Sequence, residues 1–110
     1  MSKKIIRGAN IVGSLVFTSG MTGTLGDVKT QIRNTLEKLK GVLESAGTSF
    51  ENVVKETVYL ADLKDRERYL NKIWKEAFPD NPPSRRTCIQ VGLAPDVLVE
   101  IELVAVIPEK

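Results

Sequence analysis

The chain has 110 residues, of which 42% are hydrophobic and 27% charged, a composition typical of one globular domain over residues 1–110. Its formal net charge of +2 is too small, and its basic residues too dispersed, to indicate a nucleic-acid partner. The chain contains no histidine and a single cysteine, Cys88, which excludes an internal disulfide, histidine acid–base catalysis and most zinc sites.

Residues 1–13 carry basic side chains but only an interrupted apolar run, which is not the pattern of a signal peptide. No stretch of about 18 apolar residues is present that would suit a membrane-spanning helix. The lone thiol suits a reducing compartment. These features predict a cytoplasmic protein without a membrane partner.

The first half of the chain predicts two short strands and a long helix. Residues 3–7 and 14–19 have the composition of strands, and the glycine-rich residues 20–26 follow as a turn. From Asp27 onward, apolar residues recur every three or four positions, at Val28, Ile32, Leu36, Leu39, Leu43 and Ala46. Asp27 is suited to cap the start of this helix, and Gly47 to end it.

The second half predicts a strand over residues 52–60, a helix over residues 64–78 and two final strands over residues 86–91 and 98–107. Tyr59 and Trp74 are expected in the core. The helix is expected to end at Pro79, Pro82 and Pro83. Residues 92–96 are suited to a hairpin between the last two strands. The order β-β-α-β-α-β-β predicts an α+β fold with two helices on one face of a mixed sheet.

Both faces of the last predicted strand are largely apolar. One face carries Val99, Ile101, Leu103, Ala105 and Ile107, and the other carries Leu98, Glu100, Glu102, Val104 and Val106. The helices are expected to cover one of these faces. The chain has no further element to cover the other, so we expect a second copy of the chain to do so, in a homo-oligomer.

Two carboxylates and one arginine are candidates for chemistry. Glu100 and Glu102 lie on the second face, and Arg86 shares a face of the preceding strand with Cys88 and Gln90. If these two strands form an antiparallel hairpin, one register puts Arg86 on the same side as Glu100. The guanidinium could then bind a small carboxylate-bearing molecule while Glu100 holds a water. Alternatively, Arg86 and Glu100 pair only to join subunits, and spacing leaves both interpretations open.

Other candidates are weaker. Cys88 has no base near it in sequence and is expected to be a small buried strand residue rather than a nucleophile. The segment Gly20-Met21-Thr22-Gly23 only loosely resembles a phosphate-binding loop, because it is too short and lacks the lysine. The few aromatic residues and the absence of an RNA-binding signature give little support to base stacking.

Several segments resemble the RidA/YjgF family of reactive-intermediate deaminases. The C-terminal segments RTCIQV (86–91) and LAPDVLVEIELVAV (93–106) are similar to the family signature. So are GSLVFTSG (13–20), QIRNTLEKLKGVLESAG (31–47) and VVKETVYLADL (53–63). The likeness extends over residues 9–107 and keeps the order of the elements.

This resemblance implies a chorismate-mutase-like α+β fold in a homotrimer, with sites in clefts between subunits. It implies hydrolysis of 2-imino or enamine acids, such as 2-aminoacrylate and 2-iminobutanoate, to 2-keto acids and ammonia. It implies neither a cofactor nor a metal. The expected partners are therefore a small imino or keto acid and two further copies of the chain.

The matching positions suggest a role for each site residue. Arg86 matches the family arginine that binds the substrate carboxylate, and Glu100 matches the glutamate that positions the attacking water. Cys88 matches a cysteine whose backbone faces the substrate. Ser19 and Gly20 match a Ser-Gly pair that lines the cleft.

The chain departs from the family pattern in three places. Relatives usually carry a Gly-Pro-Tyr segment whose tyrosine reaches the site, whereas the corresponding segment here is IIRGA. The loop over residues 21–26 is shorter than usual. Arg85 stands beside Arg86, and strand alternation is expected to point it the other way. The missing tyrosine favours an alternative function, a non-catalytic protein that binds a keto acid in the same cleft. RNA cleavage, suggested for some relatives, is disfavoured by the weak positive charge.

Overall fold

The computed structural model describes residues 2–80 and 86–109, so Pro82, Pro83 and Arg85 lie outside the described residues. Within these residues, six strands and two helices follow one another. The elements are β1 (Lys3–Ile6), β2 (Ala9–Val12), β3 (Leu15–Thr18), α1 (Val28–Ser45), β4 (Val53–Leu60), α2 (Asn71–Ala77), β5 (Thr87–Gln90) and β6 (Val99–Val106). A single turn of 3-10 helix, Phe50–Asn52, precedes β4, and a π-helical turn, Arg66–Leu70, leads into α2. The strands form one mixed sheet in the order β1-β2-β3-β6-β4-β5, which confirms the predicted α+β class.

Helix α1 begins and ends where its sequence predicts. The side chain of Asp27 accepts a hydrogen bond from the backbone N–H of Thr30 at 2.8 Å, which satisfies one of the free donors of the first turn. Gly47, just beyond the last turn, has a φ of +90°, a conformation that glycine adopts without strain. The buried side of the helix packs on the sheet through Val28, Ile32, Leu36, Leu39 and Leu43. Within the described ranges, no helix is both long and apolar enough to cross a bilayer.

The helices cover one face of the sheet and leave the other uncovered, as the alternation in β6 predicts. Val99, Ile101, Leu103 and Ala105 are buried on the face that the helices cover. Their neighbours Glu100, Glu102, Val104 and Val106 lie half-buried on the opposite face, which we call the open face. Leu15 and Phe17, paired with Val106 and Val104, extend the open face and are 38% and 43% exposed. A largely apolar surface therefore stands uncovered in the isolated chain.

The structure contains one strand more than the sequence pattern predicts. Residues 9–12, between the two predicted N-terminal strands, form β2, which pairs antiparallel with both β1 and β3. Two tight turns make this possible, because Gly8 and Gly13 both have positive φ values, +88° and +60°. The N-terminal region is thus a three-stranded meander rather than two separate strands.

The predicted hairpin between the last two strands is wrong. Strand β5 pairs parallel with β4, whereas β6 pairs antiparallel with β4 on its other side and with β3. A parallel pair needs a crossover, and α2 provides it between β4 and β5. The register sets Cys88 and Ile101 on either side of Val58, which is buried on the helix-covered face. The hairpin register that would put Arg86, Cys88 and Gln90 on the side of Glu100 therefore does not occur.

Candidate active site

Arg86 is held by helix α2. It precedes β5 by one residue, and its guanidinium carbon lies 5.0 Å from the centroid of the Trp74 ring. Its Nη2 donates a hydrogen bond to Oδ1 of Asn71 at 2.5 Å. Asn71 and Trp74 are one helical turn apart, so they present themselves on the same side of α2. The indole face and the amide oxygen together determine the direction of the guanidinium.

Two nitrogens of the Arg86 guanidinium lack an acceptor in the described part of the chain. Its Nε and Nη1 are buried and have no hydrogen-bond partner within residues 2–80 and 86–109. Burial is the main influence that lowers the pKa of Arg86 from its ordinary value, with Arg66 acting in the same direction and Cys88 and Glu56 opposing it. A guanidinium nevertheless stays protonated at neutral pH. Buried donors of this kind are normally satisfied by water or a ligand, so Arg86 is suited to receive an anion.

The environment of Cys88 does not favour nucleophilic attack by its thiol. The half-buried thiol has its pKa raised by burial, which outweighs the opposing influence of the Arg86 and Arg66 charges. The reactive form of cysteine is the thiolate, which a raised pKa makes scarce at neutral pH. No group of three or more histidine, cysteine or acidic side chains among the described residues could hold a metal ion.

Glu100 lies against the loop that follows β3. Met21 and Ile101 exchange two backbone hydrogen bonds, with N–O distances of 2.8 and 2.9 Å, and these fix the loop beside β6. A Cβ added at Gly20 would overlap Oε2 of Glu100, so the carboxylate occupies space that only a glycine leaves open. Ser19, the preceding residue, donates its backbone N–H to the carbonyl oxygen of Gly8 at 2.7 Å. The structure therefore brings Gly20 against Glu100, with Ser19 as the neighbour of Gly20 in the chain.

Two of the polar side chains that flank these groups were missed by sequence reasoning. In the sequence, the only sign of a role for Asn71 is that it is polar and lies one helical turn before Trp74. Tyr59 was expected in the core, as Trp74 was; Trp74 is fully buried, but Tyr59 is half-buried on the open face. The hydroxyl of Tyr59 donates a hydrogen bond to Oε1 of Glu102. The alternation of side chains along β4 could have predicted that Tyr59 lies on the open face, because Tyr59 follows the buried Val58 and so points the opposite way.

Within one chain, the candidate site is divided into two halves, one around Arg86 and one around Glu100. Arg86 contacts α2 on the helix-covered side, whereas Glu100 lies on the open face with Gly20. Chemically, the first half can bind an anion and the second can hold and deprotonate a water. A single chain does not present both halves to one small molecule on one face of its sheet.

Comparison with known proteins identifies the relatives of this chain. The family model described as "Endoribonuclease L-PSP" matches residues 6–107, almost the whole sequence. The chain belongs to the RidA/YjgF family. A RutC family protein of Pyrococcus abyssi is 39% identical over 103 residues, which cover 86% of this RidA/YjgF chain and 80% of the relative. TdcF of Escherichia coli, named as a candidate reactive intermediate deaminase, is 38% identical over 105 residues, covering 86% and 81% of the two chains.

Solved structures of other RidA/YjgF proteins share the fold. A YjgF/YER057c/UK114 family member from Mycobacterium tuberculosis has a TM-score of 0.82 at 31% identity, covering 90% of this chain and 84% of the other. A YjgF family protein from Neisseria meningitidis has a TM-score of 0.83 at 27% identity, covering 94% and 87%. The fold of this chain is thus also the fold of these two proteins.

Proposed function

We propose that this RidA/YjgF protein hydrolyses reactive 2-imino and enamine acids, such as 2-iminobutanoate and 2-aminoacrylate, to 2-keto acids and ammonia. The observation that carries the proposal is Arg86, whose guanidinium is oriented by Asn71 and Trp74 and keeps two buried donors for an acceptor from outside the described chain. A small carboxylate is the acceptor that fits a guanidinium best. The name of the relative TdcF supports the same reaction class.

The two halves of the site point to completion between subunits. Arg86 and Glu100 are directed to opposite sides of one sheet, so we propose that Arg86 of one protomer faces Glu100 of its neighbour. The open face provides the surface for such an assembly, since Leu15 and Phe17 expose apolar area beside Val104 and Val106. A closed homotrimer would bury this surface in every copy and repeat the composite cleft three times.

The chemistry assigns one task to each residue. Arg86 binds the substrate carboxylate, and the backbone around Cys88, Ser19 and Gly20 surrounds the imine. Glu100 accepts a proton from a water molecule as its oxygen attacks C2 of the protonated imine. Glu100 then returns this proton to the amine nitrogen of the carbinolamine, the C–N bond breaks with release of ammonia, and the hydroxyl proton passes to solvent to give the 2-keto acid. One water is consumed and one ammonia is released. The substrate is itself the electrophile, and the proposed reaction therefore uses no cofactor; its proposed location is the cytoplasm.

One assay tests the proposal. An amino-acid oxidase generates 2-iminobutanoate in situ, and semicarbazide traps whatever imine is left. We expect the wild-type protein to suppress trapping and Arg86→Ala to have lost this effect. Arg33→Ala is the matched control, because Arg33 is an exposed arginine paired with Glu76 on the outer side of the helices. Equal imine loss with wild type and Arg86→Ala would contradict the catalytic proposal.

Binding and assembly are measured on the same proteins. A wild-type protein that leaves the imine untouched but binds 2-ketobutyrate through Arg86 would favour the non-catalytic binding protein. If Arg86→Ala changes the oligomeric state in light scattering, Arg86 joins subunits instead of binding substrate. Retained assembly with lost activity is the result that we expect.

A further inference from the structure

The open face carries a second polar pair beside Glu100. Tyr59 on β4 lies directly opposite Glu100 in the pairing with β6, and its hydroxyl donates a hydrogen bond to Oε1 of Glu102. Both members of the pair are half-buried. The proposed reaction assigns no task to Tyr59 or Glu102.

Glu100 and Glu102 are chemically alike, but they differ in what they contact. They stand two residues apart on one strand, so their side chains project from the same face about 7 Å apart. Glu102 accepts a hydrogen bond from the phenol hydroxyl of Tyr59. Glu100 accepts no hydrogen bond from any group in the described part of the chain, and its carboxylate lies over Gly20. A charge-assisted hydrogen bond restrains a carboxylate, so Glu102 is held in place while Glu100 keeps its oxygens available.

We propose that Tyr59 is a positioning residue which, by engaging Glu102, leaves Glu100 rather than Glu102 to hold the attacking water. The inference rests on the proposed deaminase function. A carboxylate without another partner is free to accept hydrogen bonds from water. A Glu102 released from Tyr59 would compete with Glu100 for the water and hold it away from the substrate.

The phenol of Tyr59 is suited to donate a hydrogen bond to Glu102 throughout the neutral pH range. The hydrogen bond to Glu102 is the main cause that raises the pKa of Tyr59 above its ordinary value, and burial and the negative charges of Glu102 and Glu100 add to it. The hydroxyl therefore stays protonated and continues to donate. A purely structural role is the competing explanation, since cross-strand pairs also stabilise sheets.

A cycle of variants in the imine assay separates the two explanations. We expect Tyr59→Phe to lower kcat about tenfold, the worth of one hydrogen bond to a charged group, with KM almost unchanged because Arg86 carries the affinity. Glu102→Gln is expected to stay near wild type. The double variant is expected to recover the wild-type kcat, because a neutral glutamine competes less well than a carboxylate for the water that Glu100 holds. A structural pair predicts instead a double variant as slow as Tyr59→Phe, and that result would overturn the proposal.

Titration of the phenol tests the contact without reference to catalysis. The chain has two tyrosines, so Tyr69→Phe leaves Tyr59 as the only one. In that background, Glu102→Gln should move phenolate formation, followed by absorbance, to lower pH. An unchanged titration overturns the proposal.

The two proposals fail in different ways. If the wild-type protein does not accelerate imine loss, the deaminase function is overturned, and the role of Tyr59 falls with it. If the wild type is active and Tyr59→Phe is equally fast, only the role of Tyr59 is overturned.

Discussion

Asn71 accepts a hydrogen bond from Arg86, with 2.5 Å between Oδ1 and Nη2, so a residue of helix α2 determines where an arginine beside strand β5 points. Trp74, one turn further along α2, supports the same guanidinium with its ring. Helix packing, and not strand alternation, therefore orients the residue that we propose as the substrate anchor. This relationship leads to the first two predictions.

Replacing Asn71 by alanine should weaken substrate binding while leaving the fold intact. The guanidinium loses its hydrogen bond to Oδ1 of Asn71, and we expect KM for the imine and Kd for 2-ketobutyrate to rise roughly tenfold. Asn10→Ala is the control, since Asn10 is exposed on β2. Isothermal titration with 2-ketobutyrate measures the effect. An unchanged affinity would show that Arg86 does not depend on Asn71.

The single tryptophan should report ligand binding. Trp74 is the only tryptophan of the chain and lies 5.0 Å from the Arg86 guanidinium carbon, so an anion bound to Arg86 changes the electric field at the indole. We expect 2-ketobutyrate to alter the fluorescence of the wild type and of Arg33→Ala, but not of Arg86→Ala. A response that persists in Arg86→Ala would place the ligand elsewhere.

Gly20→Ala should impair turnover more than stability. The new Cβ would overlap Oε2 of Glu100, and the flexible carboxylate would move aside at little cost in folding free energy. A displaced base slows the reaction, and we expect kcat to fall about ten- to a hundredfold.

Gly41→Ala is the matched control for this prediction. Gly41 lies within α1 with open space around its Cα. The change should raise the free energy of unfolding by about 0.5–1 kcal/mol and leave kcat unaltered. Thermal unfolding and the imine assay, applied to both variants, check the contrast; a Gly20→Ala protein with wild-type kcat would contradict the placement of Glu100.

The stability of the protein should decrease at alkaline pH in part through Cys88. Because its pKa is raised in the folded chain, the folded state binds the thiol proton more tightly than the unfolded state does. The corresponding stabilisation is complete below the ordinary thiol pKa of about 8.5 and is lost as the pH rises through the higher folded value. Urea unfolding of wild type and Cys88→Ala across this range measures the difference. If both proteins lose stability equally with pH, Cys88 makes no contribution.

Much of this protein follows from its sequence alone because the relevant signals are local. Asp27 and Gly47 bound α1 through contacts and φ values within a few residues of each end. The alternation in β6 separates Ile101 from Glu100 because successive side chains of any strand point to opposite faces. The absence of histidine likewise excludes whole classes of catalysis without reference to the fold.

Only the tertiary structure decided which strands are neighbours. A strand such as β5 offers the same backbone donors and acceptors to a parallel and to an antiparallel partner, so its own residues do not tell that it joins β4 rather than β6. That choice puts Cys88 on the side of Val58, lets α2 hold Arg86, and leaves Glu100 on the other face. Side-chain alternation tells which residues share a face of one strand. Long-range strand pairing and helix packing decide which other residues that face contacts. The separation of Arg86 from Glu100 within one chain is therefore a property of the fold.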